Sequence, residues 1–289
     1  MSNNITKAFI NQVNGNIISE LQNKGGILMP TVTIKTDIYG ETSKLVDIIG
    51  TADAAPLGAR HSKTVAGSID YDSRHLNPTT YVSTQWLAFN DDLRMLIRPQ
   101  NSIKDAINMG MRRQFDDTIV AALGGVARTG KNGATNTALP ATQKIAHGNT
   151  GLTVAKLLRT RTAFLNADVD LNMEKITIVV SPNQLENMLN YEKATNSDYV
   201  GAIYPLVSGE ITKFLGMNFV STTRLPLASN VRTCYAYVKS GITLGMWANP
   251  QVFVSRLPTQ NQDIQIQMFA TVGATRVMEK KVMQVFCQE

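Results

Sequence analysis

The sequence predicts an α+β fold. One segment carries apolar residues at four-residue steps for more than twenty positions, which is typical of an amphipathic helix. Several shorter segments alternate apolar and polar residues in the manner of half-buried strands. No internal repeat is visible in the 289 residues, a length that allows one large domain or two modest ones.

The composition is poor in charge. Only 17% of the residues are Asp, Glu, Lys or Arg, where a soluble domain carries about 25%. Thr, Asn, Ser and Gln together number 81 and outnumber the 50 charged residues. The hydrophobic content of 43% excludes disorder throughout the chain. Because surface that meets a partner loses Lys, Glu and Asp, this composition favours an obligate assembly.

Simple patterns exclude several classes of protein. No apolar run approaches the roughly 18 residues of a membrane span, and the first 15 residues lack the apolar core of a secretory signal. Two cysteines, Cys234 and Cys287, make no disulfide framework, so a reducing cytosol is the simplest setting. The net charge of +6 is diffuse, without the basic and aromatic cluster of a dedicated nucleic-acid reader. It still allows a nucleic acid nearby.

The first predicted element is an N-terminal amphipathic helix that ends at Gly25-Gly26. Its apolar residues recur every four positions: Ile5, Phe9, Val13, Ile17 and Leu21. The sequence offers this helix no obvious local partner. Two placements stay open, namely packing within its own subunit and docking on another subunit.

A long hairpin is predicted next. Residues 63–69 and 79–89 alternate like strands, and the polar connection 70–78 ends in a turn signal. In the second strand, Val82 and Trp86 share one face. A lone hairpin is marginally stable in water, so it has to lie on its own body or on a neighbour.

The clearest helix spans Ser102 to about Leu123. Ser102 and Asp105 make a capping-box-like start, and Gly124-Gly125 ends the helix. Its apolar residues at four-residue steps are Ile103, Ile107, Met111, Phe115, Ile119 and Leu123.

The second half of the chain alternates helices and strands. Residues 126–151 are a loop by composition, and 191–208 form an irregular loop. One helix carries Val154, Leu157, Leu158, Phe164 and Leu165. Another starts with Ser181 as N-cap, Pro182 and Gln184, and turns Leu185, Met188 and Leu189 inward. Strands are predicted at 175–180, 217–221, 233–239, 243–247 and 252–257, with a closing pair at 264–271 and 277–286.

One stretch imitates a nucleotide-binding motif. Gly125 to Lys131 fits the first seven positions of the phosphate-binding P-loop, but Asn132 stands where the motif needs Ser or Thr. A helix precedes the stretch and a loop follows it, the reverse of the P-loop context. We interpret it as the glycine-rich turn that follows the end of the long helix.

No other group of residues predicts catalysis or metal binding. The three histidines, His61, His75 and His147, are separated, and neither cysteine has a motif around it. Two adjacent carboxylate pairs and two further aspartates are interpreted as charged faces and loop residues: Asp91-Asp92, Asp116-Asp117, Asp168 and Asp170. The sequence therefore predicts no enzyme, no catalytic residue, no metal and no cofactor.

Three stretches together resemble the major capsid protein of tailed bacteriophages, the Hong Kong 97 capsid fold. They are 85–92 leading into the long helix and Leu123-Gly124-Gly125; 176–182 with Leu185 and Leu189 behind it; and 209–221 followed by Leu225-Pro226. The resemblance covers roughly residues 50–289, and residues 1–50 match in position only. Some family members form a lysine-to-asparagine cross-link. Lys63 lies in the corresponding loop, but no partner is identifiable and no cross-link is assigned.

The resemblance implies five regions and a geometric function. The regions are an N-terminal arm (1–50), an E-loop hairpin (51–90), a peripheral domain (91–150) with a spine helix (about 102–123), an axial domain (151–250) and return strands (251–289). Pentamers and hexamers would tile an icosahedral shell around double-stranded DNA in the virion, assembled in the bacterial cytoplasm without a membrane. Portal and scaffolding proteins are implied partners. The hairpin would lie across a neighbour, the arm would reach under one, and 191–208 would approach the ring axis.

Two alternatives stay open at this point. An encapsulin-like nanocompartment shares the fold and encloses enzymes rather than DNA. A cytosolic α+β enzyme is the alternative from another class, although the sequence offers no constellation for it.

Overall fold

The computed structural model describes residues 25–36, 38–40, 43–52, 54, 68–88, 100–190 and 213–289. Its α-helices are α1 (Gln100–Gly124), α2 (Val154–Asn166) and α3 (Pro182–Leu189). Its strands are β1 (Thr33–Lys35), β2 (Ser43–Ile49), β3 (Tyr71–Leu76), β4 (Thr79–Leu87), β5 (Ala127–Thr129), β6 (Thr135–Thr137), β7 (Lys144–Ile145), β8 (Ile176–Val180), β9 (Lys213–Phe214), β10 (Met217–Ser221), β11 (Leu227–Ala228), β12 (Val231–Val238), β13 (Ile242–Leu257), β14 (Asp263–Arg276) and β15 (Val282–Gln288). This mixture confirms the predicted α+β class.

The described strands form three sheets. The first has the order β1-β13-β14-β4, and the second has the order β7-β15-β12-β8-β10-β9 with β11 added on β12. The third has the order β2-β3-β5-β6. The β1-β13, β8-β10 and β7-β15 pairs are parallel, and the other described pairs are antiparallel. No described helix is long and apolar enough to cross a membrane.

Helix α1 confirms the prediction made from four-residue spacing. Its buried apolar stripe packs on β14, where every second residue faces the helix: Ile264, Ile266, Met268, Ala270 and Val272. The helix begins at Gln100, two residues before Ser102, and ends at Gly124. Ser102 and Asp105 therefore lie inside the helix, and the predicted capping-box start is wrong.

The hairpin predicted from 63–69 and 79–89 is wrong, and the antiparallel pair that the structure describes in this region is β2 with β3. β2 and β3 pair antiparallel up to Ile49 opposite Tyr71, and the Gly50 amide then donates to the Asp70 carbonyl at 2.7 Å. The predicted connection 70–78 contains strand β3, so its interpretation as a loop is wrong. We call residues 51–69, which join the two strands in sequence, the hairpin tip.

The strand predicted as the second arm belongs to another sheet. β4 pairs with β14, from Thr79 opposite Val272 to Leu87 opposite Ile264. The first predicted arm, 63–69, falls mostly outside the described residues, and residues 68 and 69 are not in a strand. β4 alternates apolar and polar residues because one of its faces lies on the core. A projecting strand that docks one face on a neighbour would show the same alternation.

Several boundaries in the second half differ from the prediction. The strands at 243–247 and 252–257 are two halves of β13, which is interrupted by register shifts between Met246 and Gln251. The predicted closing pair is wrong, because β14 pairs with β13 and β4 whereas β15 pairs with β12 and β7. Residues 126–151 contain short strands β5, β6 and β7 within the predicted loop. The strands at 175–180 and 217–221 are confirmed, β8 beginning one residue later.

The two shorter helices are confirmed with altered details. On α2, Leu157 and Phe164 are buried, but Leu158 and Leu165 are exposed rather than inward. At the start of α3, Ser181 occupies the N-cap position without a side-chain capping bond. Gln184 is buried, and its Oε1 accepts from the Leu152 amide at 2.7 Å, so the predicted capping box does not form.

The end of β15 is fixed by an ion pair. Arg232 donates from Nε and Nη2 to the two carboxylate oxygens of Glu289, at 3.0 and 2.8 Å. Ser181 Oγ donates to the same carboxylate at 2.7 Å. These bonds, led by the Arg232 contact, lower the pKa of Glu289 from 4.5 to about 2. The carboxylate thus joins β12, β15 and the start of α3.

Acid is expected to weaken this joint. The folded pKa of Glu289 is depressed, so its stabilisation is complete above about pH 4.5 and is lost as pH falls towards 2. We expect E289Q to lower the free energy of unfolding by about 1–3 kcal/mol at pH 7 and by less at pH 3. Urea unfolding of both chains measures this. E186Q, at an exposed glutamate of α3, is the matched control. A loss that is equal at both pH values contradicts the assignment.

Candidate assembly surfaces

We call the part of the β2-β3 hairpin around residues 72–75 its root. A buried arginine holds this root in place. Arg74 on β3 is 4% exposed, and its Nε donates to the Val277 carbonyl at 2.8 Å. Its Nη2 donates to Glu279 Oε2 at 2.7 Å. Both partners follow the end of β14. The hairpin therefore starts from a fixed base on the first sheet.

The other side of the root rests on the turn after β5. Ser73 Oγ and His75 Nε2 donate to the Gly130 carbonyl at 2.8 and 2.9 Å. The Gly130 amide donates to Asp72 Oδ1 at 3.0 Å. Gly130 belongs to the P-loop-like stretch. It lies in the turn after β5, and this turn supports the root of the hairpin. This contact, rather than a phosphate, accounts for the turn.

The chain that follows the N-terminal segment is fastened to α1. The carboxylate of Asp116 accepts hydrogen bonds from the amides of Ile27 and Leu28, at 3.2 and 3.1 Å. Asp116 is 1% exposed, and burial raises the pKa of its carboxyl. The interpretation of Asp116 as part of a charged face is therefore wrong. It anchors the point from which residues 1–24 depart, and those residues lie outside the described ones.

Gly25 makes this anchor possible. Its φ is +63°, and a Cβ at this position would overlap the backbone of Arg113 on α1. Only glycine lets the chain approach the helix this closely. Gly148 has a similar φ of +53°, but a Cβ there would meet no atom within 4 Å.

These two glycines make a matched pair of substitutions. Each alanine adds about 1 kcal/mol of left-handed strain, and G25A adds roughly 1–3 kcal/mol of overpacking. We expect G25A to lower the free energy of unfolding well beyond G148A. We also expect faster amide exchange at Ile27 and Leu28 in G25A alone. Urea unfolding and hydrogen exchange measure the two effects, and equal losses contradict a tight anchor.

An apolar surface lies on the face of the first sheet opposite α1. It consists of Val82 and Trp86 on β4, Phe253 on β13 and Phe269 on β14. Their exposed fractions are 55%, 49%, 50% and 37%. The register places all four on one face, and the rings of Phe253 and Phe269 meet edge to face with centroids 6.0 Å apart. We call these four residues the outer apolar face. Val82 lies directly opposite Phe269, whereas Trp86 lies opposite Gln265. Large exposed apolar side chains grouped on one face suit contact with a partner.

The remaining sequence candidates are scattered. Asp117 pairs with Arg224 through both carboxylate oxygens, and so joins α1 to the chain after β10. Asp170 caps a turn through the Asn172 amide, and the His147 ring accepts from the Asn149 amide. Asp168 lies just after α2 with a φ of +57°. His61, Lys63 and Asp91-Asp92 lie outside the described residues. The described part of the chain holds no group of three metal-ligating side chains.

The sequence does not predict that Cys234, Cys287 and Lys156 lie close together. Cys234 and Cys287 are buried on the adjacent strands β12 and β15, with free thiols. Lys156 on α2 lies nearby, and its Nζ donates to three carbonyls, those of Thr150, Gly151 and Phe286, at 2.7–3.1 Å. The cluster ties α2 to β15. Burial lowers the pKa of Lys156.

Solved capsid structures share this fold. The capsid of cyanophage P-SCSP1u superposes with a TM-score of 0.71 at 15% identity, covering 100% of this chain and 96% of that one. The capsid of cyanophage Pam1 gives 0.74 at 12% identity, with 96% of each chain covered. Mycobacterium phage Che8 gives 0.69 at 14%, covering 99% and 98%. A comparison with curated proteins gives no match.

The family comparison covers almost the whole sequence. The profile of the phage capsid protein family matches residues 5–289. This match favours neither the nanocompartment nor the enzyme among the alternatives. It agrees with the charge-poor composition and with the outer apolar face, which the subunit leaves uncovered. The chain belongs to the phage capsid protein family and is a shell protein of a viral capsid.

Proposed function

We propose that this chain assembles as pentamers and hexamers into a closed icosahedral shell around double-stranded DNA. The outer apolar face is the observation that carries the proposal. Four large apolar side chains at 37–55% exposure would be costly on a solvated monomer, whereas a neighbouring copy would bury them. Heterologous contacts of this kind close into rings where the rotation allows.

The hairpin is the proposed occupant of that face. Ile49 at the end of β2 and Tyr71 at the start of β3 lie opposite each other, and they are 61% and 73% exposed. Apolar surface thus continues from the root towards the tip. The Arg74 and Gly130 contacts fix the direction of the root. Each subunit would place its hairpin across the outer apolar face of the next one.

The other proposed regions follow the family arrangement. The N-terminal segment would reach under a neighbour from its anchor on Asp116, and residues 191–208, outside the described ones, would approach the ring axis. Helix α1 would line the inner face of the shell. Arg112 on this helix is exposed, and a cation there suits packaged DNA without sequence readout. The domain boundaries given above stay predictions, as do portal and scaffolding partners and assembly in the host cytoplasm.

Electron microscopy of the purified full-length chain tests the proposal. We expect closed shells of uniform diameter with five-fold and six-fold rings of subunits. In lysates of infected cells, the shells should protect double-stranded DNA from nuclease. Shells filled with protein cargo favour a nanocompartment instead. A small globular particle, with or without a co-expressed scaffolding protein, contradicts shell assembly.

A further inference from the structure

A polar pocket of about 460 Å³ lies at one end of the second sheet. Its walls come from the segment 30–33, the turn at 173–175 that leads into β8, and residues 239–240 that follow β12. Thr177 of β8 and Asn218 of β10 also line it, and the register of the two strands places them side by side. The pocket is separate from the outer apolar face, which belongs to the first sheet.

Two lysines line this pocket from neighbouring strands. Lys175 comes one residue before β8, and Lys239 comes one residue after β12. The two strands pair antiparallel with Ile176 opposite Val238, so both lysines follow from the same end of the pair. Like charges on neighbouring strands repel each other, and this arrangement is destabilising without a counter-charge.

The acidic residue that lines the pocket does not supply this counter-charge. Glu174 accepts a hydrogen bond from Ser240 Oγ at 2.6 Å and pairs with Lys281 at 3.7 Å. Lys281 also donates to Ser240 Oγ, at 2.6 Å. The charge of Glu174 is therefore matched by a third lysine. Among the described residues, Lys175 and Lys239 are left without a carboxylate partner.

The pocket also offers hydrogen-bond donors that the subunit does not use. The Nζ of Lys175 donates to the Leu171 carbonyl at 3.5 Å, a long bond that leaves its other donors available. The Lys239 ammonium, the Thr177 hydroxyl and the Asn218 amide line the pocket without a hydrogen bond to any described residue. Ammonium, hydroxyl and amide groups are the donors that proteins use to bind phosphate oxygens.

We propose that this pocket binds a phosphate group of the double-stranded DNA that the shell encloses. The inference rests on the function proposed above and adds a specific contact with the DNA backbone. The wall at 30–33 follows residues 27 and 28, whose amides are bound by Asp116 of α1, the helix proposed to line the inner face. A second copy of the chain is a poorer source of negative charge, because it carries a net charge of +6 and only 22 acidic residues. Phosphate contacts carry no sequence information, so the pocket would accept any DNA sequence.

Binding of a short fluorescent DNA duplex to unassembled full-length subunits tests the pocket. Lys175→Gln combined with Lys239→Gln removes both charges at exposed positions. We expect fluorescence anisotropy to show binding weakened by at least about tenfold at low salt, and a salt slope of log K reduced by about two. Lys175→Arg combined with Lys239→Arg should bind like the parent, because it retains both charges. Lys131→Gln combined with Lys144→Gln, at exposed lysines away from the pocket, is the matched control and should change the affinity by under about twofold.

Inorganic phosphate and an acidic peptide, measured by calorimetry, identify the bound group. If the two lysines are needed for inorganic phosphate but not for the duplex, the pocket takes free phosphate and the DNA contact is overturned. An acidic peptide that binds the parent more tightly than the duplex also overturns it, because it indicates a protein partner.

The pocket and the shell can fail separately. Equal duplex affinities for the parent and the K175Q/K239Q chain overturn the pocket and leave shell assembly standing, since that chain should still form closed particles. Duplex binding that depends on both lysines, in a chain that forms no shells, supports the pocket and contradicts the proposed function.

Discussion

Removal of the hairpin tip is expected to abolish shell formation while leaving the subunit folded. The trimmed chain carries Asn-Gly in place of residues 52–68, which closes a short turn between β2 and β3. The last backbone bond of the root, Gly50 to Asp70, is retained. The buried root residues Arg74 and His75 also remain. The described residues of the removed segment, 52, 54 and 68, are exposed.

Circular dichroism and thermal unfolding measure the fold of the trimmed chain, and electron microscopy measures its shells. We expect a melting temperature within a few degrees of the parent and no closed particles. A loss of shells accompanied by unfolding would leave the hairpin without a specific role in assembly. Shells of normal size from a folded, trimmed chain contradict the proposal that the hairpin joins neighbouring subunits.

The face that receives the hairpin can be tested independently. Trp86→Ala removes the largest side chain of the outer apolar face. Because about half of this side chain is buried, we expect a loss of roughly 1–2 kcal/mol in the free energy of unfolding, together with a strong reduction in shell yield. Met173→Ala is the matched control, because Met173 is 86% exposed and lies away from that face. Equal shell yields from the two variants contradict the docking of a hairpin on this face.

The elements predicted best from the sequence are those whose signal is local. Helix α1 buries one stripe along 25 residues, so its four-residue period is long and uninterrupted. The start of α3 is marked by Pro182, whose fixed φ suits the first helical position. Strand β8 is buried at all five positions and stands out as a continuous apolar run. None of these elements needs a distant partner to be recognised.

Strand partners were predicted poorly because they are remote in sequence. Thr80 lies opposite Thr271, a separation of 191 residues, and no local pattern in β4 specifies β14. Strand β2 was missed because the register shift between Lys44 and Val46 interrupts its alternation. The irregularity within β13 likewise made one strand resemble two. A bulge breaks the period of two on which strand prediction depends.

The sequence alone also did not predict which charged residues are buried beside the candidate assembly surfaces. Arg74, Asp116 and Lys156 resemble surface residues by type, since such side chains are almost never fully buried unless paired. Their partners are largely backbone groups, which no side-chain motif reveals. Gly25 was predicted only as the end of a helix. Its contact with α1 depends on the tertiary fold.

Arg276 is the most demanding of these buried charges. It is fully buried at the end of β14, and its Nη1 donates to the carbonyls of Ala122, Leu123 and Gly125 at the end of α1. Its Nη2 donates to the Thr137 carbonyl at 3.2 Å. The last carbonyls of a helix have no partner within it, and a cation there also complements the helix dipole. One side chain thus satisfies the end of α1 and joins it to β6 and β14.

Arg276→Met is expected to be among the most destabilising single substitutions in the described chain. It keeps much of the side-chain volume but leaves four carbonyls without their donor, at about 3–5 kcal/mol in total. Arg276→Lys should lose less, because an ammonium group can still reach some of these acceptors. Arg159→Met, at an exposed arginine of α2, is the control and should change the free energy of unfolding by under about 0.5 kcal/mol. Urea unfolding of the three variants gives the ranking. A loss for R276M no larger than that for R159M contradicts the assignment of Arg276 as the cap of α1.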